Sequence, residues 1–468
     1  MEVPLTRKQK AEKGWWNSTF SACIKHIGHT VMVLSPWHDP IPLTRAWCLW
    51  ELYSTVESKT SFSVALGPGA QAKFERALLG DPDEGDGPDV VLAAFADIDV
   101  RKAQASNPDD LKMIMAAVEA IPGGCDTMNN VGVGELRKVI VKVVKRMVEL
   151  PTCINRDSVF EYSSASSREE LELWEKGHLA AVLGQLGEHA EALRVKELVT
   201  AGYDEQYGPD HPHTLTSKRN LANALCDGHP KRAVELYDET IEAYRRLMQV
   251  REEPTPAQRI CCEMSVAKED LISDLVGTKM GLAGLLSDED PERAQSLYRE
   301  VIEGCDELLT LGTEIVAREA HKDMLKAKED LGFLLKETGE IQEGLTLLQE
   351  AVAGRIERQG EYHESTAGAK MTLAMLLVEV GERAEARRLY GEAIRGFEQS
   401  LGTDAEDAMD ARYNLGCLES REGNYDEALA LIAGCDEPEV AWEDDDLAPL
   451  REARRDDFEA AVGLEPAK

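Results

Sequence analysis

The sequence predicts a mainly α-helical chain, an α-α superhelix of stacked helix pairs preceded by a small, incomplete α/β domain. Three observations carry this. A skeleton read from Leu373 (Leu373-Ala374, Leu377, Gly381, Glu385-Ala386, Leu389-Tyr390, Ala393-Ile394) also starts at Leu179, Leu221, Leu282, Leu331 and Leu415. The intervals between successive starts are 42, 61, 49, 42 and 42 residues, a spacing expected of stacked supersecondary units. Within the skeleton, Ala or Gly fills twelve positions in register: Ala180, Ala222, Ala283, Gly332, Ala374 and Gly416 after each anchoring leucine, then Ala192, Ala233, Ala294, Gly344, Ala386 and Ala428. Third, short β-branched runs alternate with helical periodicity in the first 150 residues, which argues for a parallel α/β unit.

Each part of the repeat has a physical reason. Small residues where two helices cross let the axes approach to the close end of the usual ~8–10 Å range. Gly187, Gly228, Gly339, Gly381 and Gly423 stand where the first helix should end. In the third repeat Asp290-Pro291 ends one helix and starts the next. The 61-residue interval carries a loop with Pro254 and Pro256. The 49-residue interval exceeds the period by 7, about two helical turns, and predicts longer helices around 295–325.

The repeat resembles the tetratricopeptide repeat, and its 42-residue spacing is similar to the kinesin light chain variety. Gly208-Pro209-Asp210-His211-Pro212-His213-Thr214 before Asn220-Leu221-Ala222 resembles that family's inter-repeat turn, and Gly360 and Gly402 stand the same 13 residues ahead of their leucines. The resemblance implies six repeats over 171–435, a concave wall lined by the first helix of each pair, and partner binding there. A kinesin light chain role itself is disfavoured, since its motor-binding coiled coil needs several heptads ahead of the repeats and none lies in 1–170.

Composition narrows the partners. The net charge is −35, and residues 1–150, with 17 Lys+Arg and 19 Asp+Glu, contribute only −2 of it. The remaining −33 repels nucleic acid and anionic lipid and steers basic peptides or helices toward the chain. No apolar run of ~18 residues exists to span a membrane. The ten cysteines are scattered without a C-x-x-C pair, which predicts reduced thiols in a cytoplasmic chain with neither a disulfide framework nor a metal site. No cofactor motif is present; Gly67-Pro68-Gly69 and Gly132-Val133-Gly134 lack the residues of a phosphate loop.

Taken in order, residues 15–27 have helical spacing, and His29 to Leu34 reads as a buried strand. Thr44 is placed to cap a helix beginning Arg45-Ala46-Trp47-Cys48-Leu49-Trp50-Glu51-Leu52. A second strand runs from Phe62 to Leu66, and helices follow near Gln71–Leu79, Asp109–Ala120 and 135–150. The last is amphipathic, with Arg137, Lys138, Lys142, Lys145 and Arg146 opposite its apolar face, and reads as a packed edge helix. Residues 151–170 form a Ser-rich linker, and 436–468 an acidic tail with a cap helix within Leu447 to Val462.

Val31-Met32-Val33-Leu34-Ser35 followed by Trp47-Cys48-Leu49-Trp50-Glu51-Leu52 resembles the Toll/interleukin-receptor (TIR) family, whose fold is flavodoxin-like. Some members cleave the nicotinamide–ribose bond of NAD, and Glu51 occupies the position of their catalytic glutamate. The resemblance implies that its carboxylate would hold the ribose hydroxyls and favour the cationic sugar. Met1–Gly14 is polar and lysine-rich, so the family's first strand and cleft loop have no counterpart, and the sheet is expected to have an open edge.

Two functions follow. The first is an adaptor or scaffold binding partner peptides on the repeats, through Lys218, Asn220, Asn223, Arg412 and Asn414 beside the anchoring leucines. Asparagine suits this because its amide both donates to and accepts from a peptide backbone; Asp330 and Thr372 replace it in other repeats. The alternative is a TIR-like NAD hydrolase clustered by the array.

Overall fold

The computed structural model describes residues 15–67, 69–79, 88–96, 98–149, 168–252, 267–403, 405–433 and 445–454, with 458 and 461. The polar start 1–14, the linker up to residue 167, the loop bearing Pro254 and Pro256, and the acidic stretch 436–444 lie outside these residues. The chain divides into two compact units, Met1–Ala224 and Leu225–Lys468.

The first unit opens with α1 (Trp15–Ile27), β1 (His29–Leu34), α2 (Ala46–Glu57) and β2 (Ser61–Leu66). The two strands pair in parallel, His29 opposite Ser61 through Leu34 opposite Leu66, and are the only strands among the described residues. The buried-strand reading of His29 to Leu34 needs correction. Met32 and Leu34 point into the core, but Val31 and Val33 point out and are 51% and 54% exposed. Side chains alternate along a strand, so only a second covering layer would bury that other face, and none is present among the described residues. Thr44 is not the helix cap either. It ends a 3-10 turn, Ile41–Thr44, and its hydroxyl donates to the Ile41 carbonyl at 2.9 Å. The start of α2 is held instead by backbone pairing: Ala46 N–H donates to the Gln104 carbonyl at 3.0 Å and Gln104 N–H to that of Thr44 at 2.8 Å.

Next come α3 (Ala70–Leu78), α4 (Pro88–Ala96), α5 (Pro108–Glu119) and α6 (Gly124–Glu149). Gly132 and Gly134 lie inside α6, and a Cβ on Gly132 would press on Ile98 at 3.3 Å. The glycine admits a close helix contact. Leu136, Ile140, Val144 and Val148 of α6 are buried, and its basic face has a structural role. The Arg137 guanidinium donates to the carbonyls of Leu186 (2.9 Å) and Gln185 (3.3 Å), at the end of α7 (Arg168–Gln185). Lys145 pairs with Glu188 at 2.6 Å. A cation on C-terminal helix carbonyls satisfies acceptors that have no partner within the helix. One core cluster therefore runs from Met32 and Trp50 through Leu136 to Leu183 and Tyr203, joining the α/β part to the first helix pair. That pair is α7 and α8 (His189–Tyr207), followed by α9 (Pro212–Leu225).

The second unit holds α10 (Pro230–Glu252), α11 (Lys268–Leu286), α12 (Pro291–Leu311), α13 (Glu314–Thr338), α14 (Ile341–Gln359), α15 (Glu364–Glu379), α16 (Arg383–Ser400), α17 (Glu406–Glu422) and α18 (Tyr425–Ile432). The residues added around 295–325 lengthen α12 to 21 residues and α13 to 25, against 16 in α15. Asp290 caps α12 by accepting from Arg293 N–H at 3.2 Å, with Pro291 in its first turn. Leu447, Leu450 and Phe458, around the short helix α19 (Ala448–Ala453), are buried against Cys417, Ala428 and Ile432 and cover the last pair. Phe458 and Ala461 are helical as well, and the other residues of the expected Leu447–Val462 span beyond residue 454 lie outside the described residues.

All twelve small positions are buried. At the fourth repeat a Cβ on Gly344 would stand 2.7 Å from the Gly332 carbonyl oxygen, and one on Gly332 3.0 Å from that of Gly344. The backbones of α13 and α14 touch there. Gly187, Gly339, Gly381 and Gly423 have φ near +80°, the left-handed helix terminus that only glycine adopts without strain. Gly228 is not among the positive-φ glycines, so its turn is of another kind. No described helix is long and apolar enough to cross a membrane, and no described group of three or more His, Cys, Asp or Glu is placed to hold a metal ion.

Candidate peptide-binding groove

The turn that enters each repeat sets the position of the first helix. Gly208 (φ 88°, ψ 166°) and Gly360 (φ 92°, ψ 168°) lie in a region open essentially to glycine alone. Thr214 and Thr366 each donate a hydroxyl back to that glycine's carbonyl, both at 2.9 Å. His211 and His363 each accept, through Nδ1, a helix N-terminal N–H at 3.2 Å (His213 and Ser365). The sequence Gly-x-x-His-x-x-Thr is thus one device used twice.

A groove of about 360 Å³ opens on the first repeat. Its lining includes Trp174 and His178 of α7, Tyr203 of α8, and His213, Ser217 and Asn220 of α9. The His178 ring lies 4.1 Å from that of Trp174. Tyr203, Tyr207, His211 and His213 form a continuous ring cluster, with Tyr207 stacked on His211 at 4.4 Å. Glu170, 5% exposed, places its carboxylate 3.5 Å from His213 Nε2. Burial, then the Glu170 charge, pushes the Tyr203 hydroxyl up to about 12, so it stays a donor. Burial and the neighbouring His213 push His211 below the ordinary histidine range.

The sequence-predicted residues fall in different places. Asn220 lines the groove with its side chain exposed; its backbone carbonyl accepts from Lys196 at 3.1 Å. Asn223, also exposed, lies on the next turn of α9. In the second unit Asn414 of α17 places its amide 4.0 Å from the Met371 sulfur of α15, so first helices of neighbouring repeats sit side by side. Lys218 and Arg412 reach back to the turns entering their own repeats. Lys218 donates to the Pro209 carbonyl at 3.3 Å, and Arg412 donates to the Thr403 carbonyl and pairs with Glu398 at 3.3 Å.

Lys218 and Arg412 belong to a series that residue-by-residue reading missed. Lys176, Lys218, Lys279, Lys328, Lys370 and Arg412 each stand three residues before an anchoring leucine. Three of them pair with a glutamate on the second helix of the same repeat: Lys279 with Glu300 (2.8 Å), Lys328 with Glu350 (2.7 Å) and Lys370 with Glu392 (2.9 Å). Each of those glutamates lies six residues after the small residue of the second helix. Aligning the repeats would have exposed this basic column. The ring cluster also had a signal, the Tyr203, Tyr207 and His211 spacing.

Glu51 sits mid-way along α2, half-buried, and burial pushes its carboxyl above the usual range. Cys48, one turn earlier, is pushed up by burial and then by the Glu51 charge.

Comparison with known proteins bears on the helical part. A family model described as the tetratricopeptide repeat matches residues 170–246, 323–399 and 365–432. No curated protein matches the sequence. Among solved structures, the chain is similar to kinesin light chain-type, nearly identical TPR-like repeats from Podosopora anserina (22% identity, 48% of this chain and 95% of that one, TM-score 0.38). It is also similar to BtubC (BKLC) from P. vanneervenii (20% identity, 52% and 96%, TM-score 0.38). A third is the STAND protein PH0952 from Pyrococcus horikoshii, which has a tetratricopeptide repeat sensor (11% identity, 97% and 83%, TM-score 0.46). Residues 170–246 and 323–432 of this chain are tetratricopeptide repeats.

Proposed function

We propose that the chain is an adaptor that binds segments of partner proteins along the first helices of its repeats. The observation that carries this is the groove on the first repeat, where aromatic rings and the exposed amide of Asn220 face the same space. Such a surface suits an extended peptide, with the amides of Asn220 and Asn223 pairing with its backbone and the rings receiving a side chain; Asn414 would take the same part on its own repeat in the second unit. Lys218 and Arg412 contribute at the rim by holding the turns from which α9 and α17 start. The outward face of the N-terminal sheet, with Val31 and Val33 exposed, offers a second contact surface.

The test is titration of the full chain, and of an Asn220→Ala/Asn223→Ala variant, with peptides selected on the full chain. The variant should bind them about tenfold more weakly, as expected for two lost amide hydrogen bonds. Selected peptides that bind the variant as well as the parent would remove the repeat wall from the reading. The NAD-hydrolase alternative has its own assay. Nicotinamide release by the purified chain, abolished by Glu51→Gln, would replace the adaptor reading.

A further inference from the structure

We infer that the groove of the first repeat is a pocket for a single cationic side chain, a lysine or arginine carried by the partner segment. This rests on the peptide-binding reading above and specifies what its strongest contact recognises.

Two kinds of group that attract cations converge there. The indole of Trp174 and the phenol of Tyr203 both line the groove, and aromatic faces attract ammonium and guanidinium groups through their negative π surfaces. Tyr203 is almost wholly buried, so its ring is held in one place rather than moving freely. Outside the lining itself, but next to it, is the Glu170 carboxylate. It touches His213, which lines the groove, and its charge acts on the Tyr203 hydroxyl, so its field reaches the same space. A carboxylate removed from water acts on a nearby cation far more strongly than an exposed one.

Size and rim chemistry agree. A space of about 360 Å³ holds a long side chain together with part of the backbone that carries it. Ser217 and Asn220 stand beside it, where the backbone carrying that side chain would pass. The chain's net charge of −35 draws a basic segment in and disfavours an acidic one.

The test starts from peptides displayed on phage and selected on the immobilised full chain, then synthesised and titrated calorimetrically. The expected result is a shared lysine or arginine whose replacement by norleucine or citrulline weakens binding about tenfold. On the Trp174→Ala background the same replacement should cost less than about twofold, because the pocket that reads the charge is gone. Glu170→Gln should do likewise. Since Glu170 is buried and a change there risks the fold, the partly exposed Trp174 provides the independent arm, with circular dichroism confirming the fold of both. Peptides that bind through the repeats yet share no cation, or whose cation matters equally on the Trp174→Ala background, would overturn this inference and leave the adaptor reading standing. A selection that yields no peptide would overturn both.

Discussion

Gly344→Ala should destabilise the second unit, although the same change elsewhere in a helix stabilises. The added Cβ would lie 2.7 Å from the Gly332 carbonyl oxygen and 3.3 Å from a Leu376 methyl. That oxygen belongs to helix backbone and cannot swing aside as a side-chain tip can. Restoring ordinary contact means moving α13 and α14 apart by about 0.7 Å, a gap that forfeits a quarter to a half of each contact along the seam. Overpacking of this kind costs about 1–3 kcal/mol. Replacing a helical glycine with alanine returns about 1 kcal/mol in propensity. The net is a loss of up to about 2 kcal/mol. Gly368→Ala is the matched control: it lies inside α15, nothing stands within 4 Å of its Cβ position, and it should gain about 0.5–1 kcal/mol. Urea unfolding followed by far-UV circular dichroism should move the two midpoints in opposite directions. A Gly344→Ala midpoint at or above the parent's would refute the claim that backbone contact sets the spacing of this pair.

Three further outcomes follow from the same coordinates. Gly360→Ala should cost about 1–3 kcal/mol by forcing a side chain into a backbone region open essentially to glycine alone, measured as a lowered urea midpoint. Glu175 is 8% exposed, with a carboxylate oxygen that has no hydrogen-bond partner among the described residues. Burial, then the Glu172 charge, pushes it from the ordinary 4.5 up to about 7. The folded chain therefore keeps a proton that the unfolded chain releases, so this contribution is intact below about pH 4.5 and declines by ~3 kcal/mol as the pH rises to about 7. Midpoints measured from pH 5 to 8 should fall more steeply for the parent than for Glu175→Gln; equal slopes would exclude Glu175 as the source. Arg355 and Glu329 form a buried two-point ion pair, with the second contact at 2.9 Å. Arg355→Met should cost about 3–5 kcal/mol by stranding the carboxylate, and Glu329→Met added to it should recover most of that in thermal unfolding.

How much was legible varies by element for physical reasons. β1 and β2 were read to within a residue because strand alternation and the flanking glycine and serine are local signals. The helix at 135–150 was read too short. Gly132 and Gly134 look like breakers in sequence, whereas α6 runs through them because Gly132 meets Ile98, a residue no local pattern connects to it. Thr44 failed as a cap for a related reason: a pairing with Gln104, 60 positions away, took over the backbone groups that a side chain would have satisfied. At the groove, Asn220 was found because it adjoins an anchoring leucine, while Trp174, Tyr203 and Glu170 have no such marker.

By itself the sequence determined where the helices of the repeats pair and how closely. A small residue in register is a steric permission that holds wherever two backbones meet, as Gly332 and Gly344 do. Only the tertiary structure decided what the polar residues on those helices do. The basic residue three positions before each leucine pairs with a glutamate in Lys279, Lys328 and Lys370, yet reaches a turn carbonyl in Lys218 and Arg412. A long flexible cation takes whichever acceptor the fold brings within reach, and reach is a property of three dimensions. The groove is the same case, assembled from α7, α8 and α9 by packing that brings Trp174, Tyr203 and Asn220 to one space.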